Sequence, residues 1–231
     1  MELLLTFDAL KRLPNQNYIN LFIPYLPYAR QDRIMVNGEP LSIKVMANLL
    51  NSLECGRIFV YDVHSSVSTA LINNCVNIDN HSLVGVAVNK ECDCLLVSPD
   101  AGASKKMYDV AKFIDRNEFV HCEKVRDVAT GKITGIEVGM SDVYLKGRTC
   151  VIVDDICDGG ATFTALATEL KKRGAKRVVL VVSHGIFSKG IEILRANNID
   201  HVYTTDSISS DTPDKTFVTK FKIADLVRWN L

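Results

Sequence analysis

"VIVDDICDGGAT", residues Val151 to Thr162, is the stretch on which the reading of this chain turns. Three β-branched apolar residues, Val151, Ile152 and Val153, run into Asp154 and Asp155, then Asp158, then Gly159-Gly160-Ala161-Thr162. The apolar run reads as a buried strand that ends in negative charge. The three aspartates repel one another, so a ligand is needed to account for them. The glycine pair lets the backbone curl with successive N–H groups inward, and a helix starting near Ala161 or Thr162 adds its positive N-terminus. Together these make an anion cradle suited to a phosphate, with the Thr162 hydroxyl as a further donor. The aspartates then accept hydrogen bonds from sugar hydroxyls on the same ligand. A molecule with hydroxyls at one end and a phosphate at the other is a ribose phosphate. The plain alternative, a solvated acidic turn, is disfavoured because strand, paired acids and Gly-Gly-x-Thr follow one another directly.

Outward from this stretch, compact apolar runs read as further buried strands: Leu21 to Ile23, Ile58 to Tyr61, Leu95 to Val97 and Val178 to Val182. Helical patterns lie between them at Leu41 to Leu53, Ser104 to Phe113, Phe163 to Arg173 and Ile191 to Ala196. In the first, Ile43, Met46, Ala47 and Leu50 recur at three- and four-residue intervals and make one apolar face. Gly174, just past Lys171-Lys172-Arg173, reads as a helix stop. Alternating helices and apolar strands indicate an α/β fold with parallel sheet covered on both faces. The segment Glu123 to Asp127 with Thr130-Gly131-Lys132 breaks the alternation and reads as a hairpin or long loop, a common form of functional lid. Ser207 to Lys215 is polar and turn-rich, and leads to a final helix at Lys222 to Asn230.

Ligands of open parallel sheets gather beyond the carboxyl ends of the strands. Each polar cluster here falls at such an end: Tyr28 to Arg33, Asp62-Val63-His64, Ser98 to Gly102, Asp154 to Thr162, and Ser183-His184-Gly185. One polar strand end means little, and five in a row indicate a site.

Composition bounds the reading. The 231 residues suffice for one large domain or two small ones, and 47% of them are hydrophobic. Lys and Arg total 27, as do Asp and Glu, which gives no electrostatic reason to expect nucleic acid or an acidic membrane as partner. The seven cysteines include no CxxC pair. Cys92-Asp93-Cys94 looks like a strand edge with both thiols on one face, and small half-buried thiols are favoured over a zinc site. The N-terminal MELLLTFDALKR lacks the basic region and cleavage site of a signal peptide, and no stretch is long enough to span a bilayer. The expected setting is soluble, reducing and cytoplasmic.

Val151 to Thr162 resembles the ribose-phosphate-binding signature of type I phosphoribosyltransferases. Five further motifs narrow the resemblance to the ribose-phosphate diphosphokinases (PRPP synthetases). Ile23 to Arg33, IPYLPYARQDR, is similar to that family's ATP-side segment, and ordinary phosphoribosyltransferases lack it. YDVHS, VSPDAG and SHGIFS resemble its Asp-x-His, Ser-Pro-Asp-x-Gly and Ser/Thr-His-x-x-Phe-Ser elements, and EKVRD its catalytic Lys-x-Arg loop. The motifs keep family order over nearly the whole chain.

The resemblance implies two phosphoribosyltransferase-like domains with mostly parallel sheets flanked by helices, the first incomplete. Residues 1–82 would form the ATP-side domain, joined by a C-terminal helix at 216–231, and residues 83–215 the ribose-phosphate-binding domain. The implied reaction moves diphosphate from ATP to the 1-hydroxyl of ribose 5-phosphate, giving PRPP and AMP with Mg²⁺. By the same resemblance Arg30, Gln31 and His64 contact ATP, His64 and Asp100 hold the metal, and Lys124 and Arg126 are catalytic. Asp154, Asp155, Asp158, Gly159, Gly160, Ala161 and Thr162 match the ribose 5-phosphate site. Alternating Lys124 and Arg126 in a strand-like loop would share a face. A homo-oligomer is implied as well.

Two departures from the pattern stand out. The family's loop reads Asp-Thr-Gly-Gly-Thr, whereas Gly159 and Ala161 stand at its second and fourth places. A relaxed pocket for a larger 5-substituted ribose such as ADP-ribose is one consequence. MELLLTFDALKR resembles a helix well inside the family's first domain, so a non-catalytic regulatory or scaffold protein is the other alternative.

Overall fold

The computed structural model describes residues 1–14, 18–116, 118–126, 133–208, 211 and 214–227, and of residues 124–126, 133 and 134 the backbone only. The expected turn at 130–132 and the end of the expected final helix, 228–230, lie outside the described residues. The chain folds as two compact units, the first spanning Met1–Asp79 and the second beginning at Asn80.

The first unit runs α1 (Glu2–Lys11), β1 (Leu21–Ile23), α2 (Ser42–Asn51), β2 (Ile58–Tyr61), α3 (Ser66–Leu71) and β3 (Cys75–Ile78). Its sheet is parallel, in the order β1-β2-β3. The periodicity of α2 takes effect as expected: Ile43, Ala47 and Leu50 are buried and Met46 packs beside them. They meet Phe7 of α1 and Ile58 and Val60 of β2 in one core.

The second unit runs α4 (His81–Val88), β4 (Cys94–Ser98), α5 (Ser104–Phe113), β5 (Phe119–Arg126), β6 (Ile133–Val138), α6 (Asp142–Leu145), β7 (Thr149–Cys157), α7 (Ala161–Lys172), β8 (Arg177–Gly185), α8 (Glu192–Ala196), β9 (His201–Thr205), β10 (Val218–Phe221) and α9 (Ile223–Leu226). Its seven strands lie in the order β10-β9-β8-β7-β4-β5-β6, and among these pairs only β5 with β6 is antiparallel.

Strand alternation divides this unit's core between the two faces of the sheet. Cys150 and Ile152 of β7 and Val178, Leu180 and Val182 of β8 pack with Phe163, Leu166 and Leu170 of α7. Val151, Val153, Val179 and Val181 pack instead with Leu83 and Val84 of α4 and Met107 and Val110 of α5. The strands are therefore apolar on both sides, which is why they read as continuous hydrophobic runs. Helix α7 ends as expected. Gly174 has φ +92, its N–H bonds to the Lys171 carbonyl at 3.0 Å, and the Ala175 N–H bonds to the Leu170 carbonyl at 3.0 Å. This is the Schellman pattern of a glycine-terminated helix.

Three expectations are corrected. The Val151 strand does not stop before its aspartates: β7 continues to Cys157, because β8 extends equally far and pairs Asp154 with Val182 and Cys157 with Gly185. Cys92 and Cys94 do not share a face. Cys92 is exposed in a turn whose Asp93 has φ +44, and Cys94 is buried at the start of β4. The segment expected to begin a helix joined to the first domain instead lays β10 beside β9 in the second unit, followed by the short α9. Its mixed Val218, Thr219, Lys220 and Phe221 suit an edge strand, with Val218 buried in that unit's core.

Candidate active site

In the first unit, the chain leaves β1 through Pro24 and anchors itself with Leu26 and Ala29, both buried in the core. Tyr28 between them takes the left-handed conformation, φ +65, and its carbonyl accepts the Gln31 N–H at 2.9 Å. This bend turns Arg30 and Gln31 outward. At the end of β2, Asp62 is buried with φ +42, and its N–H donates to the Ile78 carbonyl at 2.7 Å. Non-glycine residues in this region are strained and tend to gather at functional sites. Two residues on, His64 is exposed. The two strand ends converge on a groove of 530 Å³ lined by Arg30, Gln31, Asp32, Arg33, Met35, Glu39, Pro40 and His64.

The groove thus brings together Arg30, Gln31 and His64, the three residues expected at ATP. It also contains Asp32 and Arg33, joined by bonds of 2.9 and 3.3 Å from the guanidinium to the carboxylate. The Arg33 hydrogen bond, with one from Ser65 and the charge of His64, holds the Asp32 carboxyl below its ordinary range. Arg33 and Glu39 had no role assigned from sequence. Proximity to Arg30 in ARQDR was the available signal for Arg33, and Glu39 lacked one.

In the second unit, β4 and β7 lie side by side, but the chain continues from β4 to β5 on one side and from β7 to β8 on the other. The strand order reverses at this point, and the carboxyl ends of the two strands leave a natural binding crevice. Asp100 stands just past β4. Its Oδ1 accepts the Ala103 N–H at 3.0 Å, and its carbonyl accepts from the hydroxyls of Ser98 at 3.0 Å and Ser104 at 3.3 Å.

Asp154 and Asp155 occupy the last turns of β7, and the Asp154 Oδ1 accepts the Asp155 N–H at 2.9 Å. Burial raises the Asp154 carboxyl well above its ordinary range, and the negative charges of Asp155 and Asp100 raise it further. Asp100 is thus near enough to Asp154 to be felt, although their positions in sequence are far apart. A cation or a set of hydroxyl donors at this point offsets both causes. Hard carboxylate oxygens of this kind fit Mg²⁺, which keeps several waters and is completed by ligand phosphates. Among the described residues, no group of three or more His, Cys, Asp or Glu forms a metal cage.

Beyond β7, Asp158 and Gly159 lead to Gly160, which has φ +76 and caps α7. A Cβ on Gly160 would also lie 2.7 Å from the Leu194 Cδ2, so both backbone and packing require glycine. Gly159 is different: a Cβ there meets only Lys189 carbons at 3.6 Å. Ala161 and Thr162 open α7, whose first N–H groups have no partner further back in the helix and face an incoming anion. The loop is tied to the end of β8, since the Cys157 carbonyl accepts the N–H groups of Ile186 at 2.9 Å and Phe187 at 3.1 Å. His184 is buried there, with Nδ1 2.8 Å from the Ser207 hydroxyl.

Lys124 and Arg126 lie on β5, which pairs antiparallel with β6, Lys124 opposite Ile136 and Arg126 opposite Ile133. The register shifts between Val125 and Arg126. A bulge of this kind interrupts strict alternation, so period-two reasoning no longer places the two basic residues on one face. Their side chains lie outside the described residues.

Residues 1–53 match the N-terminal domain of ribose phosphate pyrophosphokinase, and residues 90–225 match the phosphoribosyl transferase domain. The chain is 35% identical over 231 residues to a ribose-phosphate pyrophosphokinase of Mycoplasmopsis pulmonis, covering 98% of this chain and 70% of that protein. The chain belongs to the ribose-phosphate pyrophosphokinase family. A second family relative, from Thermosipho africanus, is 33% identical over 224 residues, covering 93% of this chain and 68% of its own length. The crystal structure of phosphoribosylpyrophosphate synthetase from Mycobacterium smegmatis superposes with a TM-score of 0.81 at 29% identity, over 98% of this chain and 74% of that one. The family's phosphoribosyltransferase-type α/β architecture, with mostly parallel sheets, is thereby shown for this chain. Among the described residues no helix is long and apolar enough to cross a membrane.

Proposed function

We infer that this chain is a ribose-phosphate diphosphokinase, transferring diphosphate from ATP to the 1-hydroxyl of ribose 5-phosphate to give PRPP and AMP. The observation that carries this reading is the Asp154–Thr162 loop, set at the point of strand reversal in a chain of this family. Relatives that share the name ribose-phosphate pyrophosphokinase favour it over a larger 5-substituted ribose or a non-catalytic role.

The ribose 5-phosphate sits with its phosphate against Gly159, Gly160, Ala161 and Thr162 and its hydroxyls toward Asp154, Asp155 and Asp158. Arg30, Gln31 and His64 bind ATP in the groove of the first unit. The sugar oxygen attacks the β-phosphorus in line, the bond from that phosphorus to the AMP oxygen breaks, and the hydroxyl proton passes to water. Lys124 and Arg126 bring positive charge to the leaving oxygen, where it stabilises charge that develops only in the transition state. Asp100 in the second unit and His64 in the first are the residues that would hold Mg²⁺, whose chemistry would be to offset the negative charge of the phosphates. The reading includes homo-oligomeric assembly, supported by family resemblance alone. It also includes a reducing cytoplasmic setting, which suits seven free cysteines.

The test is to incubate the full chain with ATP, Mg²⁺ and ribose 5-phosphate and to quantify AMP. AMP that depends on the sugar and disappears with a chelator is the expected result. Lys124→Ala is expected to lower kcat by about a hundredfold or more. Sugar-independent AMP release would contradict the reaction, and undiminished kcat in Lys124→Ala would remove the catalytic assignment.

A further inference from the structure

The phosphate loop carries little positive charge of its own. Residues 158–162 include an aspartate and no lysine or arginine. A sugar phosphate brings nearly two negative charges at neutral pH, and Asp154, Asp155 and Asp158 add to the repulsion. Backbone N–H groups and the end of α7 offset part of this. The fold supplies a further cation from elsewhere in the chain.

That cation is Lys189. Its Cδ and Cε lie 3.6 Å from where a Cβ of Gly159 would stand, and its Cγ lies 3.9 Å away. The stem therefore lies over Gly159, and the ammonium group is one bond beyond Cε. The backbone holds Lys189 beside the loop. Lys189 sits within the turn Phe187–Gly190, closed by the Gly190 N–H to the Phe187 carbonyl at 2.8 Å. The same turn is fastened to the loop through the Ile186 and Phe187 N–H groups on the Cys157 carbonyl. Phe187 has φ +50, and its ring packs so closely on Gly185 that a Cβ there would meet Cε2 at 2.3 Å. Lys189 is exposed, and among the described residues its ammonium has neither an ion-pair partner nor a hydrogen-bond acceptor. A Cβ at Gly159 would touch this stem only at ordinary contact distance.

We propose that Lys189, whose stem lies against Gly159, is a binding residue for the 5-phosphate of the sugar substrate. In this loop a mobile point charge takes the place of a fixed side-chain hydroxyl. An ammonium suits that role, because it follows a phosphate without imposing the planar geometry of arginine. The proposal rests on the reading of residues 154–162 as the ribose 5-phosphate site, and it adds a determinant that selects acceptors ending in a phosphate dianion.

The experiment compares the full-length wild type with Lys189→Ala, Lys189→Arg, and Lys189→Ala combined with Gly159→Thr. AMP formation is followed with ribose 5-phosphate varied at saturating ATP and Mg²⁺, and calorimetry measures ribose 5-phosphate binding alone. Lys189→Ala is expected to raise the KM and the Kd for ribose 5-phosphate about tenfold, the usual cost of losing a charged hydrogen bond. The KM for ATP should stay in place, Lys189→Arg should keep most of the affinity, and the added Gly159→Thr should recover part of it through its hydroxyl. Because Lys189 is exposed, its removal should leave the thermal transition unmoved. An unchanged KM and Kd for ribose 5-phosphate in Lys189→Ala overturns the proposal, as does an equal rise in the KM for ATP. A wild type that forms no AMP but binds the sugar phosphate through Lys189 overturns the proposed reaction and supports this residue. A wild type that does neither overturns both.

Discussion

Gly159 and Gly160 are neighbours with opposite constraints. Gly160 is held at φ +76 against Leu194, and an L side chain there is strained in backbone and in space. Gly160→Ala should therefore destabilise the fold by about 1–3 kcal/mol, and it should weaken ribose 5-phosphate binding as the α7 N–H groups turn away. A chemical-denaturation midpoint together with the KM for ribose 5-phosphate checks this, and wild-type values for both would refute it. Gly159 has ordinary room for a Cβ, so its chemistry rather than its backbone is what distinguishes it. Sequence alone marks both residues as loop glycines. It cannot separate them, because the difference lies in one torsion angle and in the approach of Leu194 and Lys189 from distant parts of the chain. Lys189 went unassigned for the same reason: it follows the SHGIFS motif, and only the turn that folds back onto Cys157 brings it to the loop.

Strands with two buried faces are the most legible elements of this chain, because nearly every residue in them is apolar. The runs at Leu21–Ile23, Ile58–Tyr61 and Val178–Val182 lie within the strands observed. Edge elements are less legible. Strand β10 mixes valine, threonine, lysine and phenylalanine over only four residues, and pairing with β9 overrides its weak local preference. Helix α4 was missed because it is apolar on most sides: Leu83, Val84, Ala87 and Val88 are all buried, so no polar face gives away its period. Helix ends follow local rules more faithfully. The Schellman bonds around Gly174 require its left-handed conformation, so Gly174→Ala should cost about 1 kcal/mol. The thermal transition should fall with no change in kcat, and an unshifted transition would contradict this account of the stop.

At the scale of the molecule, the five polar strand ends recognised in the sequence divide between two units. Arg30, Gln31 and His64 line one groove in the first. Asp100 and the Asp154 loop meet at the strand reversal of the second. Which strands are neighbours was not legible, since strand order depends on how the crossovers pack and not on any one segment. Burial also shapes the response to pH. It pushes the thiols of Cys122 and Cys157 up to about 12 and that of Cys150 up to about 11, from an ordinary 9.0. Each folded-state value lies above its unfolded one. The stability they contribute is therefore fully present below pH 9.0 and is lost as pH rises toward about 12. The thermal transition should fall steadily over that window, and Cys122→Ala combined with Cys150→Ala should flatten the fall. A transition independent of pH across the window would show that these thiols ionise equally in both states.

The reversal of strand order between β4 and β7 has one more consequence. The position of the opening beside Asp100 and Asp154 follows from the order in which the chain visits its strands. Substitution can erase the chemistry there, but closing the gap would require rewiring the chain. Descendants that lose their aspartates would still inherit a folded protein with a ready-made hollow, open to being recruited for another ligand.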